Sequence, residues 1–127
     1  MIKKILIIDD DKIFSKVLKD SLCANNSEEC TVINAYDGEE GLTAAREEKP
    51  DLIISDLMMP KMDGIEFIKK LKLESDLSGI PVLVSTQVPD MDKISEATAL
   101  GVKGYIVKAD YSLDSIVKQV SDILNEG

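Results

Sequence analysis

Acidic residues follow two short apolar runs, and their number and position point to metal-assisted chemistry. Ile5–Ile8 leads directly into Asp9–Asp11, and Leu52–Ser55 leads into Asp56. If both runs are neighbouring strands, two carboxylate charges about 4 Å apart repel each other by about 4 kcal/mol at an effective dielectric constant of about 20. A cation is therefore expected among them, and hard carboxylate oxygens favour Mg²⁺.

Phosphoryl transfer is the reaction that this set of residues favours. It depends mainly on positioning and on neutralising the charge of the phosphoryl oxygens, which a Mg²⁺ ion with open coordination positions can do. Asp56 is the candidate nucleophile, because a carboxylate can form an aspartyl phosphate. Thr86 and Lys108 each follow a later apolar run and would supply a hydroxyl and an ammonium group.

Alternating strand and helix patterns must position these residues. Five short β-prone runs alternate with five segments of helical periodicity, which predicts a parallel sheet with helices on both faces. The predicted strands are Ile5–Ile8, Cys30–Ala35, Leu52–Ser55, Val82–Val84 and Gly104–Val107. The predicted helices are Lys12–Leu22, a helix capped by Asp37 and stopped at Lys49-Pro50, Gly64–Leu73, Lys93–Leu100 and a last helix over Leu113–Leu124, with a loop at Val88–Asp92. In such a sheet, ligands bind outside the carboxyl ends of the strands, where the polar residues fall.

Size and charge limit the classes of function. The 127 residues fit one domain, residues 1–127, with no output domain, and 24 acidic against 15 basic residues give a net charge of -9. This charge argues against direct binding to nucleic acid or to an anionic membrane surface. We find no apolar stretch of about 18 residues and no signal peptide, so a cytoplasmic protein without a membrane partner is expected.

The reactive residue types limit the chemistry further. No histidine is present, and the two cysteines are Cys23 and Cys30. Neither a zinc site of the usual kind nor a histidine-based catalytic triad can be built from this set. We expect both cysteines to be reduced thiols, as is usual in the cytosol.

Combined, these motifs make the chain similar to a response-regulator receiver domain of two-component signalling, and the resemblance covers nearly all residues. It rests on Asp9-Asp10, on the SDLMMPKMDG stretch around Asp56, on Thr86 and on Lys108. The resemblance implies a flavodoxin-like doubly wound α/β fold with five helices and strand order 2-1-3-4-5. It also implies that Asp56 accepts a phosphoryl group from a sensor histidine kinase or a phosphotransfer protein.

The same resemblance assigns roles to individual residues. Asp10, Asp56 and the main-chain carbonyl of Met58 would bind Mg²⁺, and Asp9 would act through a metal-bound water. Lys108 would contact the phosphoryl oxygens. Thr86 would move to hydrogen-bond them, so that Tyr105 rotates inward and the surface of the fourth helix, fifth strand and fifth helix changes for a protein target. The protein would thus be a signalling switch and not an enzyme acting on a separate substrate.

The chain departs from the family pattern at positions near the proposed site. Ala109 follows Lys108 where the family usually has proline, often with a cis bond, and we predict a trans bond here. Gln87 follows Thr86 where a small residue is usual, so access to Asp56 could be narrower. Met58 and Val88 occupy positions that tune hydrolysis in the family, and since neither side chain can orient an attacking water, we predict slow autodephosphorylation.

Other functions remain as alternatives. A haloacid-dehalogenase-like phosphohydrolase also uses a strand-end aspartate, but it needs a second aspartate where this chain has Met58, and no cap domain is present. A nucleotide-binding protein is disfavoured because both common glycine-rich phosphate-binding motifs are missing. The stronger alternatives are a phosphorylation-independent binding module of the receiver fold and a phosphorelay intermediate.

Overall fold

Five strands and five helices alternate along the part of the chain that the computed structural model describes, which is residues 3–23, 30–59, 61–110 and 112–126. The strands are β1 (Lys3–Ile8), β2 (Cys30–Ala35), β3 (Leu52–Asp56), β4 (Val82–Thr86) and β5 (Gly104–Val107). The helices are α1 (Lys12–Cys23), α2 (Gly38–Glu48), α3 (Gly64–Leu73), α4 (Met91–Ala99) and α5 (Leu113–Glu126). Every strand and helix predicted from the sequence is present.

The strands form one parallel sheet in the order β2-β1-β3-β4-β5, which is the flavodoxin-like order expected from the resemblance. In this register Ile8 lies beside Ser55, and Asp56 lies beside Ser85. The carboxyl ends of β1, β3 and β4 are therefore level with one another. This alignment brings the residues after each strand to one end of the sheet.

Two apolar layers cover the sheet. Side chains of α1 and α5, including Phe14, Leu18 and Ile116, pack with Ile7 and Ile54 on one face. Helices α2, α3 and α4 pack on the opposite face, whose cluster includes Leu6, Ile53, Phe67 and Val84. Because successive residues of a strand point to opposite faces, both faces of the central strands are apolar. This explains why β1, β3 and β4 read as continuous hydrophobic runs.

Aspartate side chains begin four of the helices. Asp11 Oδ1 accepts hydrogen bonds from the amides of Ile13 and Phe14 at the start of α1. In the same way Asp37, Asp63 and Asp90 cap the starts of α2, α3 and α4. A carboxylate at this position satisfies amides that have no partner inside the helix and interacts favourably with its positive end. The caps therefore fix where each helix leaves the loop that follows the preceding strand.

One boundary differs from the prediction. The loop predicted over Val88–Asp92 ends at Asp90, so α4 begins at Met91 and not at Lys93. The reason is the cap: Asp90 Oδ1 accepts a hydrogen bond from the amide of Lys93, which fixes the two residues before Lys93 in the first turn. The sequence pattern of apolar residues misses this turn because its side chains are exposed.

Further expectations concern the peptide bond after Lys108, membrane-spanning helices and the cysteines. No cis peptide bond occurs in the described residues, so the bond between Lys108 and Ala109 is trans as predicted. None of the helices in the described ranges is long and apolar enough to cross a bilayer. The expectation for the cysteine pair is not tested, because the side chain of Cys30 lies outside the described part of the structure.

Candidate functional site

The residues predicted to do chemistry meet at the carboxyl ends of the central strands. Asp9 follows β1, Asp56 ends β3 and Lys108 follows β5. Ile7, Ile54 and Ile106 lie on the sheet face covered by α1 and α5. Asp9, Asp56 and Lys108 come two residues after these, so strand alternation places all three on that same face.

A cluster of three carboxylates forms the acidic part of the site. One oxygen of each of Asp9, Asp10 and Asp56 lies within 4.8 Å of the others. Asp9 is only 1% exposed and Asp56 is also buried, whereas Asp10 is exposed. The predicted grouping of acids is therefore present, with two buried carboxylates and one exposed to solvent.

Lys108 is the cation that offsets the two buried charges. Its Nζ lies 2.6 Å from Asp9 Oδ2 and 3.1 Å from Asp56 Oδ2, and the residue is only 9% exposed. The main-chain amide of Lys108 donates to the carbonyl of Thr86 at 2.7 Å, which fixes the lysine backbone beside β4. A buried ion is tolerated only when it is paired in this way.

Burial and pairing have opposite effects on the titration of these groups. Burial raises the pKa of Asp9 from its usual 3.8 to about 6, and the charge of Asp56 adds to this, whereas Lys108 and the amide of Asp11 act against it. Burial alone would lower the pKa of Lys108, but its contacts with Asp9 and Asp56 outweigh this effect and the pKa is raised. At neutral pH both side chains are charged.

Main-chain amides hold the two buried carboxylates in place. The amide of Asp11 donates to Asp9 Oδ1 at 2.9 Å, and the amide of Met58 donates to Asp56 Oδ1 at 3.0 Å. In each aspartate the other oxygen, Oδ2, contacts Lys108. Because each bond reaches only two residues along the chain, the loop after each strand orients its own acid.

Gly64 packs against the backbone that carries Asp56, a role that the sequence did not indicate. A Cβ atom on Gly64 would lie 2.3 Å from the carbonyl oxygen of Asp56 and 2.7 Å from the Cα of Leu57. The amide of Gly64 also donates to the carbonyl of Leu57 at 3.0 Å. The start of α3 therefore packs directly on the backbone that carries Asp56, and no larger residue fits there. Its only sequence signal is a glycine immediately after the capping residue Asp63.

Thr86 ends β4, the strand beside the one that ends at Asp56, but its hydroxyl is directed elsewhere. The Thr86 Oγ1 donates to the carbonyl of Val88 at 2.7 Å. Strand alternation groups Thr86 with Val82 and Val84, on the face covered by α2, α3 and α4. Tyr105, beside Val84 in the sheet, belongs to the same face and is 47% exposed. Thr86 and Tyr105 are thus on the opposite face from the acids.

Met58 and Val88, the positions predicted to tune hydrolysis, both carry exposed side chains at this end of the sheet. The side chain of Met58 is 58% exposed. Met62 is buried in the core and Met59 packs against it. Gln87 is exposed.

The acidic cluster fits a divalent cation. Asp9 Oδ2 is buried and contacts the Lys108 ammonium at 2.6 Å, and a carboxylate still has lone pairs for a metal ion or a metal-bound water. Asp9, Asp10 and Asp56 together offer three hard oxygens from the ends of two strands. Mg²⁺ commonly uses one or two carboxylates and keeps several waters, which agrees with a cluster that opens to solvent at Asp10.

Comparison with known proteins agrees with this geometry. Residues 5–121 match the family described as the response regulator receiver domain. The chain belongs to this family. The chemotaxis response regulator CheY4 of Vibrio cholerae is similar in structure, with a TM-score of 0.85 and 29% identity over 97% of this chain and 99% of that one. Receiver domains act as signalling proteins with histidine kinases or phosphotransfer proteins, and they generally bind Mg²⁺ at an acidic pocket.

Two further relatives place the domain among regulators. The phosphorylated cyanobacterial phytochrome response regulator RcpA has a TM-score of 0.82 and 31% identity, over 97% of this chain and 91% of that one. The alkaline phosphatase synthesis transcriptional regulatory protein PhoP of Bacillus subtilis is 39% identical over 109 residues, which are 85% of this chain and 43% of that protein. This chain spans about half the length, or less, of the curated relatives it matches.

Proposed function

We propose that this receiver domain is a phosphorylation-activated response regulator in which Asp56 accepts the phosphoryl group. The donor is a sensor histidine kinase or a phosphotransfer protein. The observation that carries the proposal is the convergence of Asp9, Asp10 and Asp56 within 4.8 Å beside the Lys108 ammonium. A buried acid next to a cation and two further acids suits phosphoryl transfer to a carboxylate, which depends on a positioned nucleophile and on charge stabilisation.

The proposed reaction moves one phosphoryl group between two side chains. A P–O bond forms to a carboxylate oxygen of Asp56 as the P–N bond of the donor phosphohistidine breaks. The electron pair stays on the imidazole nitrogen, which takes a proton from solvent. Lys108 is already within 3.1 Å of Asp56 Oδ2, and in this position its ammonium can neutralise the phosphoryl oxygens.

Asp9 and Asp10 are part of the proposed metal site. Together with Asp56 and the main-chain carbonyl of Met58 they would hold Mg²⁺, with Asp9 acting through water. When bound, the ion neutralises negative charge on the phosphoryl oxygens during transfer. The amides of Asp11 and Met58 keep the two buried carboxylates oriented throughout.

We further propose that Thr86 and Tyr105 transmit the signal. Thr86 and Asp56 are the last residues of adjacent strands. The Thr86 hydroxyl would therefore turn around the end of the sheet and exchange its hydrogen bond to the Val88 carbonyl for one to a phosphoryl oxygen, which moves the start of the loop before α4. The ring of Tyr105 would then turn inward from its exposed position. A dianionic phosphoryl group can bias such a two-state element through charge-assisted hydrogen bonds. The surface that changes, formed by α4, β5 and α5, would bind the protein target.

The proposed partners are proteins and not nucleic acid or membrane. PhoP is named as a transcriptional regulator, and only 43% of its length corresponds to this chain. The net charge of -9 disfavours DNA binding by the receiver domain itself. Any DNA contact would therefore be made by residues outside this domain, whose own contribution would be protein contacts.

A direct test is phosphorylation by phosphoramidate with Mg²⁺, followed by intact mass measurement and peptide mapping. We expect one phosphoryl group on Asp56 in the parent and none in Asp56→Asn. Absence of phosphorylation in the parent would favour the phosphorylation-independent binding module. Onward transfer to the histidine of a second protein would instead favour a phosphorelay intermediate.

The switch is tested separately with beryllium fluoride as a phosphoryl analogue. We expect chemical-shift changes at Tyr105 and α4 in the parent, and far smaller changes at Tyr105 in Thr86→Ala. Thr98→Ala is a matched control, because it removes another threonine hydroxyl that bonds a carbonyl, within α4. Equal Tyr105 responses in the parent and Thr86→Ala would contradict the proposed role of Thr86.

Slow loss of the phosphoryl group is the first prediction. Neither Met58 nor Val88 carries a polar group that can orient an attacking water. We therefore expect Met58→Asn and Val88→Glu to speed hydrolysis of phosphorylated Asp56 by about 5-fold or more, as positioned polar groups commonly do. The measurement is phosphoryl decay after removal of the donor, with Met91→Gln as control, since Met91 is also exposed but begins α4. Decay as slow as in the parent in both variants would contradict the prediction.

A further inference from the structure

The aromatic ring of Phe14 lies against the Lys108 ammonium inside the protein. The Nζ atom is 4.7 Å from the centre of the ring. Phe14 is only 7% exposed and Lys108 is also buried, so little water lies between the cation and the ring. A desolvated contact of this kind is stronger than one at the surface, because water does not screen the attraction of the cation to the ring face.

Phe14 is held in place by contacts of its own. Its amide donates to Asp11 Oδ1 at 3.0 Å, in the cap of α1. Its side chain belongs to the apolar cluster that α1 and α5 form on the sheet, together with Leu18 and Ile116. The ring is therefore a fixed part of the core, and Lys108 is the flexible partner that reaches over it.

The other partners of Lys108 are the oxygens that the proposed reaction needs. Asp9 and Asp56 each use Oδ2 to contact its ammonium. Metal binding and phosphorylation would both change the charge and the contacts of these carboxylates. Phe14 differs from them, because a phenyl ring binds neither Mg²⁺ nor a phosphoryl group and keeps its attraction for the ammonium throughout.

We infer that Phe14 is a positioning residue that keeps the Lys108 ammonium at the phosphoryl site when its carboxylate partners are engaged elsewhere. This inference rests on the proposed function, since it assumes transfer to Asp56. Phe14 touches neither reactant and acts only through Lys108. Its contribution is electrostatic and depends on the electron density of the ring face, and not only on its volume.

Stepwise fluorination of the ring tests this electrostatic role. Fluorine withdraws electron density from the ring face while changing its shape little, so it weakens the contact with a cation. Monofluoro-, difluoro- and trifluorophenylalanine are incorporated at position 14 of the full chain, and phosphorylation by phosphoramidate is measured with saturating Mg²⁺. We expect the rate at saturating donor to fall progressively, by about 5-fold for the trifluoro variant, a size typical of buried cation–π contacts. The donor concentration for half-maximal rate should stay constant.

Phe67 provides the matched control. It is fully buried in α3 on the opposite face of the sheet, within the other apolar cluster. The same fluorinated residues at position 67 should leave the rate unchanged. The proton shifts of the Lys108 side-chain methylene groups give a second readout, since they should change with substitution at position 14 and not at position 67.

The outcomes separate this inference from the proposed function. If the parent is phosphorylated on Asp56 and the fluorinated variants at position 14 react at the same rate as the parent, the role of Phe14 is overturned and the proposed function stands. Equal losses at positions 14 and 67 would also overturn it, because they would reflect packing alone. A parent that accepts no phosphoryl group would overturn the proposed function itself, and the inference with it.

Discussion

At the scale of single residues, the central feature is a buried lysine shared by two buried aspartates. Asp9, Asp56 and Lys108 could be predicted because each follows an apolar strand, and polar residues at that place have few structural reasons to be there. Phe14 could not be predicted as the neighbour of Lys108, because they are far apart in sequence and meet only when α1 packs on the sheet. The orientation of Thr86 toward Val88 likewise depends on the loop geometry.

The raised pKa of Asp9 leads to a prediction about stability and pH without divalent cations. In the unfolded chain Asp9 ionises near its usual pKa of 3.8, but in the folded protein it does so near 6. The folded state therefore loses stability relative to the unfolded state as the pH rises from about 4 to about 6. Asp9→Asn has no such loss. Its free energy of unfolding should therefore rise relative to that of the parent by on the order of 2 kcal/mol between about pH 4 and about pH 6.

Denaturant unfolding at a series of pH values measures this difference. Above about pH 6 the two curves should run parallel. Asp20→Asn is the control, because Asp20 is an exposed residue of α1 whose ion pair with Lys16 lies at the surface. A difference between Asp9→Asn and the parent that stays constant from pH 4 to pH 7 would be inconsistent with a raised pKa of Asp9.

At the scale of elements, strand and helix positions follow from the sequence because periodicity, capping and stop signals agree. Asp37 and Asp63 cap helices where the pattern predicts starts, and Gly104–Val107 is β5 with the predicted bounds. The start of α4 was missed because its first residues are exposed and contribute nothing to the apolar pattern. Close contacts between elements, such as that of Gly64 with Asp56, have no periodic signal at all.

The contact between the start of α3 and the end of β3 leads to the second stability prediction. In Gly64→Ala, the added methyl group would meet the Asp56 carbonyl oxygen, and this backbone cannot move without shifting the acid. We expect a loss of about 1 to 3 kcal/mol in the free energy of unfolding, as for other overpacked sites.

Gly79→Ala is the matched control for this variant. A Cβ atom at Gly79 would meet nothing within 4 Å, so the same chemical change should cost little there. Urea unfolding of both variants gives the comparison, and phosphorylation of Asp56 in Gly64→Ala reports any displacement of the acid. Equal free energies of unfolding for the two variants would contradict the prediction, because the backbone at Asp56 would then move to accommodate the methyl group at little cost.

At the scale of the whole molecule, the sheet order explains why distant residues meet. The order β2-β1-β3-β4-β5 puts β1 and β3 side by side at the centre, so their acidic loops are neighbours although they lie far apart in sequence. The alternating pattern predicts a parallel sheet, whereas the strand order came from the family resemblance. Crossover handedness alone leaves more than one order open, and long-range packing selects among them.

Binding of Mg²⁺ should stabilise the whole fold, because a ligand that binds only the folded state shifts unfolding by mass action. Free Mg²⁺ at about 100 times its dissociation constant should add about 3 kcal/mol to the free energy of unfolding. We expect a higher thermal midpoint with Mg²⁺ in the parent and a clearly smaller rise in Asp10→Asn. Asp122→Asn removes the same charge from α5, at an exposed ion pair with Lys118, and should respond as the parent does. A rise in Asp10→Asn that equals that of the parent would exclude Asp10 as a ligand.

The acids and the Thr86–Tyr105 pair occupy opposite faces of one sheet, which has a consequence for assembly. Under the proposed function, a phosphodonor would approach the open end at Asp10, whereas a protein that recognises Tyr105 would cover a different area beside β5. The donor and the target protein would then be able to bind simultaneously in a ternary complex. A saturating concentration of the target protein should therefore not compete with binding of the phosphodonor, and the reverse should also hold.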